Sequence, residues 1–199
     1  MRKIKSLITI FCLFQLINCL SQNKIKLEYQ NDNLIQEIGI GLVQQVNVKE
    51  KIILYEDSEF KTIKTKDAKL GKDIIPLLNK LDYSILFFLC VEKNNKYFKV
   101  IISKEKYAFI KPSNKYIYYN WNDFLKNQIT SVDCKNKNSL FDKIDGKLIN
   151  FKNLNFDDEI EIINVKDDWL NIKNTTINKN YWVKWKEKNK LLINLNLLM

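Results

Sequence analysis

The chain has 199 residues, with 33 Lys and Arg against 23 Asp and Glu, a formal net charge of +10 and no His. The absence of His excludes Ser-His-Asp and Cys-His catalysis and removes the commonest metal ligand. Only four Gly residues are present, too few for the Gly-rich loops that bind phosphates or dinucleotides. We therefore expect a protein that is not an enzyme and that holds no cofactor and no metal ion.

The positive charge is carried almost entirely by Lys, since Arg2 is the only Arg in the chain. A protein that reads nucleic acids is expected to use Arg, because its planar guanidinium contacts phosphate and guanine through two hydrogen bonds at once. The composition therefore favours a solvated coat of Lys side chains, and we expect no nucleic-acid partner.

The amino terminus has the pattern of a secretory signal peptide. Basic residues within the first five positions precede a mainly apolar run, Leu7–Leu20, which is too short for a comfortable membrane-spanning helix. We predict a signal peptide over residues 1–21, cleaved after Ser21, and a periplasmic or extracellular location. Two alternatives stay open: an uncleaved apolar anchor, and a lipoprotein in which Cys19, at the end of a lipobox-like segment, carries the lipid.

Two Cys follow the predicted signal peptide, Cys90 and Cys134. In an oxidising compartment such a pair forms a disulfide more often than it stays as two thiols. We expect a Cys90–Cys134 bridge. The alternative is two buried thiols, which the apolar neighbours of Cys90 would accommodate.

Residues 22–46 are a lead-in segment, either a strand or a loosely ordered one. The rest of the chain is dominated by short runs rich in Ile, Val, Tyr, Phe and Trp, which have the length of strands. The predicted strands are Ile52–Tyr55, Ser84–Val91, Tyr97–Ser103, Tyr107–Lys111, Lys147–Phe151, Glu159–Val165, Trp169–Lys173, Tyr181–Trp185 and Lys190–Leu195.

Two segments have the apolar spacing of helices. Asp73–Leu81 carries Leu and Ile residues at helical intervals, with Pro76 placed in the first turn. Trp121–Ile129 follows Asn120, a residue that commonly caps a helix amino terminus. We predict one or two short helices.

Three segments of the chain resemble three later ones and indicate two degenerate repeats. The first repeat carries an insertion, which we place at 64–81. The aligned segments are Leu54–Ile63 with Leu140–Ile149, Asn95–Val100 with Asp167–Ile172, and Ala108–Lys111 with Tyr181–Lys184.

The second repeat resembles the bacterial Src homology 3-like domain. Asp168–Ile172 supplies the aromatic residue that follows a polar turn in that family, and Tyr181–Val183 stands for its Gly-Trp-Val strand. The resemblance covers Ser139–Leu195 and, in the first repeat, Lys51–Lys111. Tyr181 replaces the usual Gly, and the family's opening motif of Asn, Arg, Ser, Gly and Pro is missing.

The resemblance implies a mainly β fold of two small Src homology 3-like barrels with one or two short helices after a signal peptide. The first domain is expected at 47–130 and the second at 138–199. Each barrel would have five to six strands. The family's barrels recognise cell-wall peptides or proteins.

Trp169 and Trp182, which lie in two predicted strands of the second repeat, are the expected core anchors, because a large aromatic side chain fills the centre of a small barrel. Strand alternation then places Tyr181 and Trp185 on the opposite face. We predict that this outer pair contacts a ligand. The alternative is that it packs between the two repeats.

A second aromatic cluster follows the first repeat and contains Tyr116, Tyr118, Tyr119 and Trp121. It is either a binding platform for a glycan or a partner strand, or a linker whose aromatic side chains hold the two barrels together. The acidic pairs Asp157-Asp158 and Asp167-Asp168 are interpreted as turn formers rather than as catalytic carboxylates or calcium ligands.

From the sequence we expect an exported, non-enzymatic binding protein of the bacterial envelope that recognises a protein or a peptidoglycan peptide. Membrane attachment is expected only if Cys19 is lipidated. The alternative function is a periplasmic immunity or inhibitor protein that neutralises a toxin or a wall hydrolase.

Overall fold

A computed structural model describes residues 38–134, 140–149 and 160–197. These residues form a mainly β fold, as predicted, with the single α-helix α1 (Trp121–Asn127) and a 3₁₀ turn at Leu81–Tyr83. The strands are β1 Gly41–Gln45, β2 Leu54–Tyr55, β3 Ile63–Thr65, β4 Leu78–Lys80, β5 Ile85–Lys93, β6 Phe98–Ser103, β7 Lys106–Ile110, β8 Tyr116–Asn120, β9 Ile129–Cys134, β10 Leu140–Phe141, β11 Ile160–Lys166, β12 Trp169–Asn174, β13 Lys179–Lys184, β14 Lys186–Glu187, β15 Lys190–Leu191 and β16 Ile193–Leu197.

The largest sheet has eight strands in the order β3-β2-β7-β6-β5-β1-β8, with β4 paired to β5 at its side. Strand β1 comes from the end of the lead-in segment and lies between β5 and β8, so this part of the segment is a strand. A second sheet has the order β10-β13-β12-β11, and two further pairs join β14 to β15 and β16 to β9. All of these pairs are antiparallel, and among the described strands no sheet closes into a barrel.

Two hydrophobic cores are separated by the large sheet. The first core lies on one face of that sheet and includes Val43, Phe88, Cys90 and Val100. The second, which we call the joint core, is formed by side chains from the other face of the large sheet, from α1, from the second sheet and from the β9–β16 pair; it includes Leu42, Phe87, Phe124, Leu170, Val183, Ile193 and Trp185.

Strand β5 is buried on both faces, which explains its unbroken apolar sequence. Leu86, Phe88 and Cys90 point into the first core, whereas Phe87 and Leu89 point into the joint core. A strand covered on both sides has no polar face to alternate with the apolar one. Strand β5 therefore contributes side chains to both cores.

The two predicted helices have opposite outcomes. The helix after Asn120 is confirmed, and the Asn120 side chain accepts a hydrogen bond from the backbone of Asp123, as a helix cap does. The helix predicted at Asp73–Leu81 is wrong. Its backbone is used by the sheet instead: Ile75 N–H donates to Ile102 and Leu77 N–H donates to Phe87.

Several sequence predictions fall on residues that the structure leaves undescribed. The signal peptide at 1–21, the Asp157-Asp158 pair and the end of the predicted strand at Lys147–Phe151 lie outside the described ranges. Within the described part of the chain, no helix has the length and apolar character that a membrane crossing needs.

Candidate binding surface

Two three-stranded meanders dominate the molecule. The first meander is β5, β6 and β7, with β2 beside β7, and the second is β11, β12 and β13, with β10 beside β13. Residues that align in sequence occupy equivalent positions in the strand pairing of the two meanders. The corresponding pairs are Phe98–Ile110 with Leu170–Val183, Val100–Ala108 with Ile172–Tyr181, and Tyr55–Phe109 with Phe141–Trp182.

Both meanders also carry a β-bulge at the same point. The pairing between β5 and β6 shifts after Cys90, which leaves Val91 unpaired in the register, and the pairing between β11 and β12 shifts after Ile162, which leaves Ile163 unpaired. A bulge bends its strand and re-aims the side chains beyond it. The two meanders therefore bend at equivalent places.

Each meander presents three half-buried aromatic side chains on what we call its outer face: the face opposite the first core in the first meander, and the face opposite the joint core in the second. On the first meander these are Tyr55, Tyr97 and Phe109, with the rings of Tyr97 and Phe109 centred 5.2 Å apart in an edge-to-face contact. On the second meander they are Phe141, Trp169 and Trp182. The rings of Phe141 and Trp169 lie 5.0 Å apart in the same edge-to-face arrangement.

The second meander corrects the predicted roles of its aromatic residues. Tyr181 and Trp185, the expected outer pair, are buried in the joint core, with only 7% and 2% of their surfaces exposed. Trp169 and Trp182, the expected core anchors, are half-buried on the outer face. The alternation along the strand was correct, but the two faces were exchanged.

The residues between the aromatic ones decide which face is inside. Leu170 and Ile172 on β12 and Val183 on β13 share one face with Tyr181 and Trp185, and all five are buried. In β12 and β13 all the aliphatic residues lie on this face, together with the buried Asn174, whereas Trp169 and Trp182 share their face with Lys173 and Lys184. Turning this face inward buries the aliphatic side chains and leaves those two Lys ammonium groups in water.

A contact between Trp185 and Trp121 joins the second meander to α1. Their rings lie 5.2 Å apart within the joint core. The Trp185 indole donates to the backbone oxygen of Asp167 at 2.9 Å, and the Trp121 indole donates to that of Ile38 at 3.0 Å. Trp121 is thus a packing residue, as the second interpretation of its cluster required, and it is too deeply buried to contact a ligand.

The Tyr residues of that cluster lie on the edge strand β8, and Tyr116 and Tyr118 are the two that were predicted to bind. The hydroxyl of Tyr118 donates to the backbone oxygen of Ile40 at 3.1 Å, and the Lys93 amino group lies 4.4 Å from the centre of the Tyr118 ring. Burial raises the pKa of the Tyr116 hydroxyl to about 12. Both side chains are half-buried against the first core, so the structure does not make them a free platform.

The expected bridge between Cys90 and Cys134 is absent, because Cys90 is a free, fully buried thiol. Its Sγ donates to the backbone oxygen of Glu92 at 3.2 Å within the first core. Burial raises the pKa of this thiol to about 12. The prediction relied on compartment and residue count, neither of which reports where the two cysteines lie in the fold.

The turn between β2 and β3 forms one wall of a cavity beside the first meander's aromatic side chains. The carboxylate of Asp57 accepts hydrogen bonds from the backbone N–H groups of Glu59, Lys61 and Thr62 at 2.9–3.2 Å. The backbone hydrogen bond from Lys61, reinforced by those from Thr62 and Glu59, lowers the pKa of Asp57, against a smaller effect of desolvation. Asp57 therefore fixes the shape of this turn.

Within that turn Phe60 adopts a left-handed backbone conformation with φ of 59°. Bulky residues avoid this region because of steric repulsion, and such outliers concentrate at functional sites. The Phe60 ring lies edge-to-face with Tyr55 at 4.9 Å. The turn thus holds an aromatic side chain in place at a steric cost that Gly would avoid.

The cavity is open to solvent and has a volume of about 380 Å³. It lies where the β2–β3 turn, the β5–β6 turn and the segment after β7 meet. Its lining residues are Ser58, Glu59, Phe60, Asn95, Lys96, Lys111 and Pro112. None of these residues was selected from the sequence. The left-handed Phe60 had no local signal, and the other residues come together only through the sheet pairing.

The second meander differs at the equivalent positions. Its β10 turn is one residue shorter, since Asp142 N–H donates to Lys147, whereas Glu56 N–H donates to Thr62 in the first meander. Asp145 then takes the left-handed position, with φ of 53°. The aromatic wall supplied by Phe60 is therefore replaced by a carboxylate.

No family model, no curated protein and no solved structure matches this chain. Across the described ranges, no three or more Cys, Asp or Glu side chains lie close enough together to hold a metal ion. The candidate site is therefore defined by its own geometry: an aromatic surface with an adjoining cavity.

Proposed function

We propose that the protein is an exported, non-enzymatic binding protein of the bacterial envelope, which recognises a protein or a cell-wall peptide through the first meander. The observation that carries this proposal is the cavity walled by Phe60, next to the half-buried aromatic side chains of Tyr55, Tyr97 and Phe109. Aromatic residues such as Tyr and Trp are enriched among the few residues that dominate the binding energy of protein interfaces, because they bury a large area at little cost in conformational entropy.

Export and ligand class rest on the sequence. The signal-peptide pattern at residues 1–21 supports secretion, and the resemblance to Src homology 3-like domains supports recognition of peptides or proteins. The surface adds a physical reason: three polypeptide segments converge on the cavity, and turns between rigid strands are where specificity is commonly set.

The variant that tests this site is Phe60→Gly, because Gly accepts the left-handed backbone without steric cost. The change removes the aromatic wall and leaves the turn that Asp57 organises. We expect the free energy of unfolding to change by no more than about 1 kcal/mol, and binding to purified peptidoglycan or to envelope protein extracts to be lost.

The matched control is Asp145→Gly, which makes the same backbone change at the left-handed position of the second meander. It should bind like the wild type. Equal binding by wild type, Phe60→Gly and Asp145→Gly would refute the proposed site. Retention of one toxin or wall hydrolase from the extract, with no binding to peptidoglycan, would instead identify the protein as an inhibitor.

A further inference from the structure

We propose that the cavity beside Phe60 binds the free carboxylate of a peptide, with the neighbouring apolar side chain of the peptide lying against the Phe60 ring. This inference rests on the proposed function and specifies the ligand chemistry of the same site. It comes from the charges that line the cavity and from their contrast with the second meander.

Two lysines line the cavity, Lys96 and Lys111. Neither forms an ion pair with any residue in the described part of the chain. The acidic residue of the lining, Glu59, lies 3.4 Å from the amino group of Lys61. The cavity therefore offers two available ammonium groups, while its one carboxylate already has a cationic partner.

The turn that carries Lys96 is locally fixed. The side-chain oxygen of Asn94 accepts hydrogen bonds from the backbone N–H groups of Lys96 and Tyr97, at 2.7 and 3.0 Å. Asn94 N–H in turn donates to the backbone oxygen of Tyr97. This arrangement presents Lys96 at the cavity without using its side chain in the fold.

Lys111 is positioned by an aromatic contact. Its amino group lies 5.8 Å from the centre of the Phe60 ring, within the range of cation–π attraction. The charge and the apolar wall are therefore side by side. A ligand that fits has an anionic group next to an apolar one, as a peptide has at a carboxyl-terminal residue with an aliphatic side chain.

The second meander lacks this combination at the aligned positions. Asp168 takes the place of Lys96, and it forms an ion pair with Lys186 at 3.2 Å. Lys184 takes the place of Lys111, and it forms an ion pair with Glu187 at 3.0 Å. The equivalent charges there are reversed or neutralised within the protein, so only the first meander's positions are left available to an anion.

The experiment uses calorimetric titration of the purified protein with three peptides: acetyl-Ala-Ala-Leu with a free terminal carboxylate, the same peptide as its terminal amide, and acetyl-Ala-Glu-Leu-amide. We expect the free acid to bind at least about tenfold more tightly than the first amide, because charged hydrogen-bonding partners dominate such sites. The third peptide distinguishes a terminal carboxylate from a side-chain carboxylate.

The variants Lys96→Met and Lys111→Met should each weaken the free acid by about tenfold and leave the amide unchanged. Lys184→Met is the matched control on the second meander and should bind like the wild type. Binding of the free acid should also weaken as the salt concentration rises, because salt screens the attraction between exposed charges, with a Debye length of about 8 Å at physiological ionic strength.

Equal affinities for free acid and amide, or no binding of any peptide at millimolar concentration, would overturn the carboxylate inference. The proposed function has its own readout. If the peptides bind equally and Phe60→Gly abolishes that binding, the surface is a peptide site without carboxylate selectivity. If neither these peptides nor peptidoglycan nor envelope proteins depend on Phe60, both proposals fail.

Discussion

The two meanders share a register and a bulge but present different chemistry. The first surrounds its outer aromatic side chains with a cavity, two available lysines and a strained Phe60. The second has Asp145 and Asp168 at the equivalent turns and keeps Lys184 in an ion pair. The same strand pairing therefore supports two surfaces of different chemistry, and the turns account for the difference.

The inner faces differ as well. The inner face of the first meander packs into the first core, and Phe87 and Leu89 on its other face also reach the joint core, whereas the second meander gives its inner face to the joint core, together with α1 and the large sheet. The second meander thus packs against the rest of the molecule through this core, where the Trp185 ring contacts the Trp121 ring of α1. The division suggests that substitutions in the second meander alter stability and substitutions in the first alter binding.

The largest expected effect separates the two faces of the second meander. Trp185→Ala removes a buried ring and its hydrogen bond to Asp167, and we expect a loss of about 3–5 kcal/mol in the free energy of unfolding. Trp182→Ala, on the half-buried outer face, should cost about 1 kcal/mol. Urea denaturation measures both values, and equal losses would contradict the assignment of the faces.

In the second meander the sequence predicted which residues share a face, but not which face is buried. Alternation along β13 is a local property, and it correctly separated Tyr181 and Trp185 from Trp182. Which face is covered depends on the sheet and helix that arrive from elsewhere in the chain. The aliphatic residues Leu170 and Ile172 carried the answer, because they share the buried face.

Elsewhere in the fold, too, features set by neighbouring residues were predictable and features set by distant segments were not. The α-helix was predictable because its start depends on Asn120 and the residues just after it. The segment around Pro76 has helical spacing, but its N–H groups find partners on strands β5 and β6 and their surroundings, a non-local choice that spacing cannot reveal. The cavity is likewise assembled from three distant segments, so its residues had no common signal in the sequence.

The second largest expected effect is a loss of stability at alkaline pH, caused by Cys90 in the first meander. In the second meander the equivalent position is occupied by Ile162. The thiol titrates near its ordinary value of 9.0 when unfolded but at about 12 in the fold. The contribution of this thiol to the free energy of unfolding is therefore fully present below pH 9. It falls as the pH rises towards 12, with a loss of about 1.4 kcal/mol at about pH 10. Cys90→Ala should remove this share of the alkaline loss, as urea denaturation of both proteins at several pH values will measure.

If the wild type and Cys90→Ala lose stability in parallel above pH 9, the thiol is not buried as described. A thiol-labelling experiment serves as the control: Cys90 should react with an alkylating reagent only after unfolding, because a protonated, enclosed thiol is a poor nucleophile.

The smallest expected effect compares the two turns that precede the left-handed residues. Among the described residues, Asp57 accepts three backbone hydrogen bonds, whereas Asp142 accepts one, from Lys147. Because hydrogen bonding holds the pKa of Asp57 below its ordinary 3.8, its stabilising contribution is present above that pH and is lost as the pH falls through the lowered value. Asp57→Asn should therefore flatten the acid end of the stability profile, which urea denaturation between neutral and acid pH measures.

Asp142→Asn provides the comparison for that turn. Because the Asp142 carboxylate accepts fewer backbone hydrogen bonds among the described residues, this variant should lower the free energy of unfolding at neutral pH less than Asp57→Asn does, as urea denaturation of both variants measures. A larger loss from Asp142→Asn would mean that the turn of the first meander is not the more rigid one.

A titration followed through backbone amide chemical shifts decides between the two meanders. Addition of acetyl-Ala-Ala-Leu as the free acid should shift the amide signals of Phe60, Asn95, Lys96 and Lys111, and leave those of Asp145, Asp168 and Lys184 in place. Shifts confined to the second meander, or spread equally over both, would contradict the assignment of the binding site to the cavity beside Phe60.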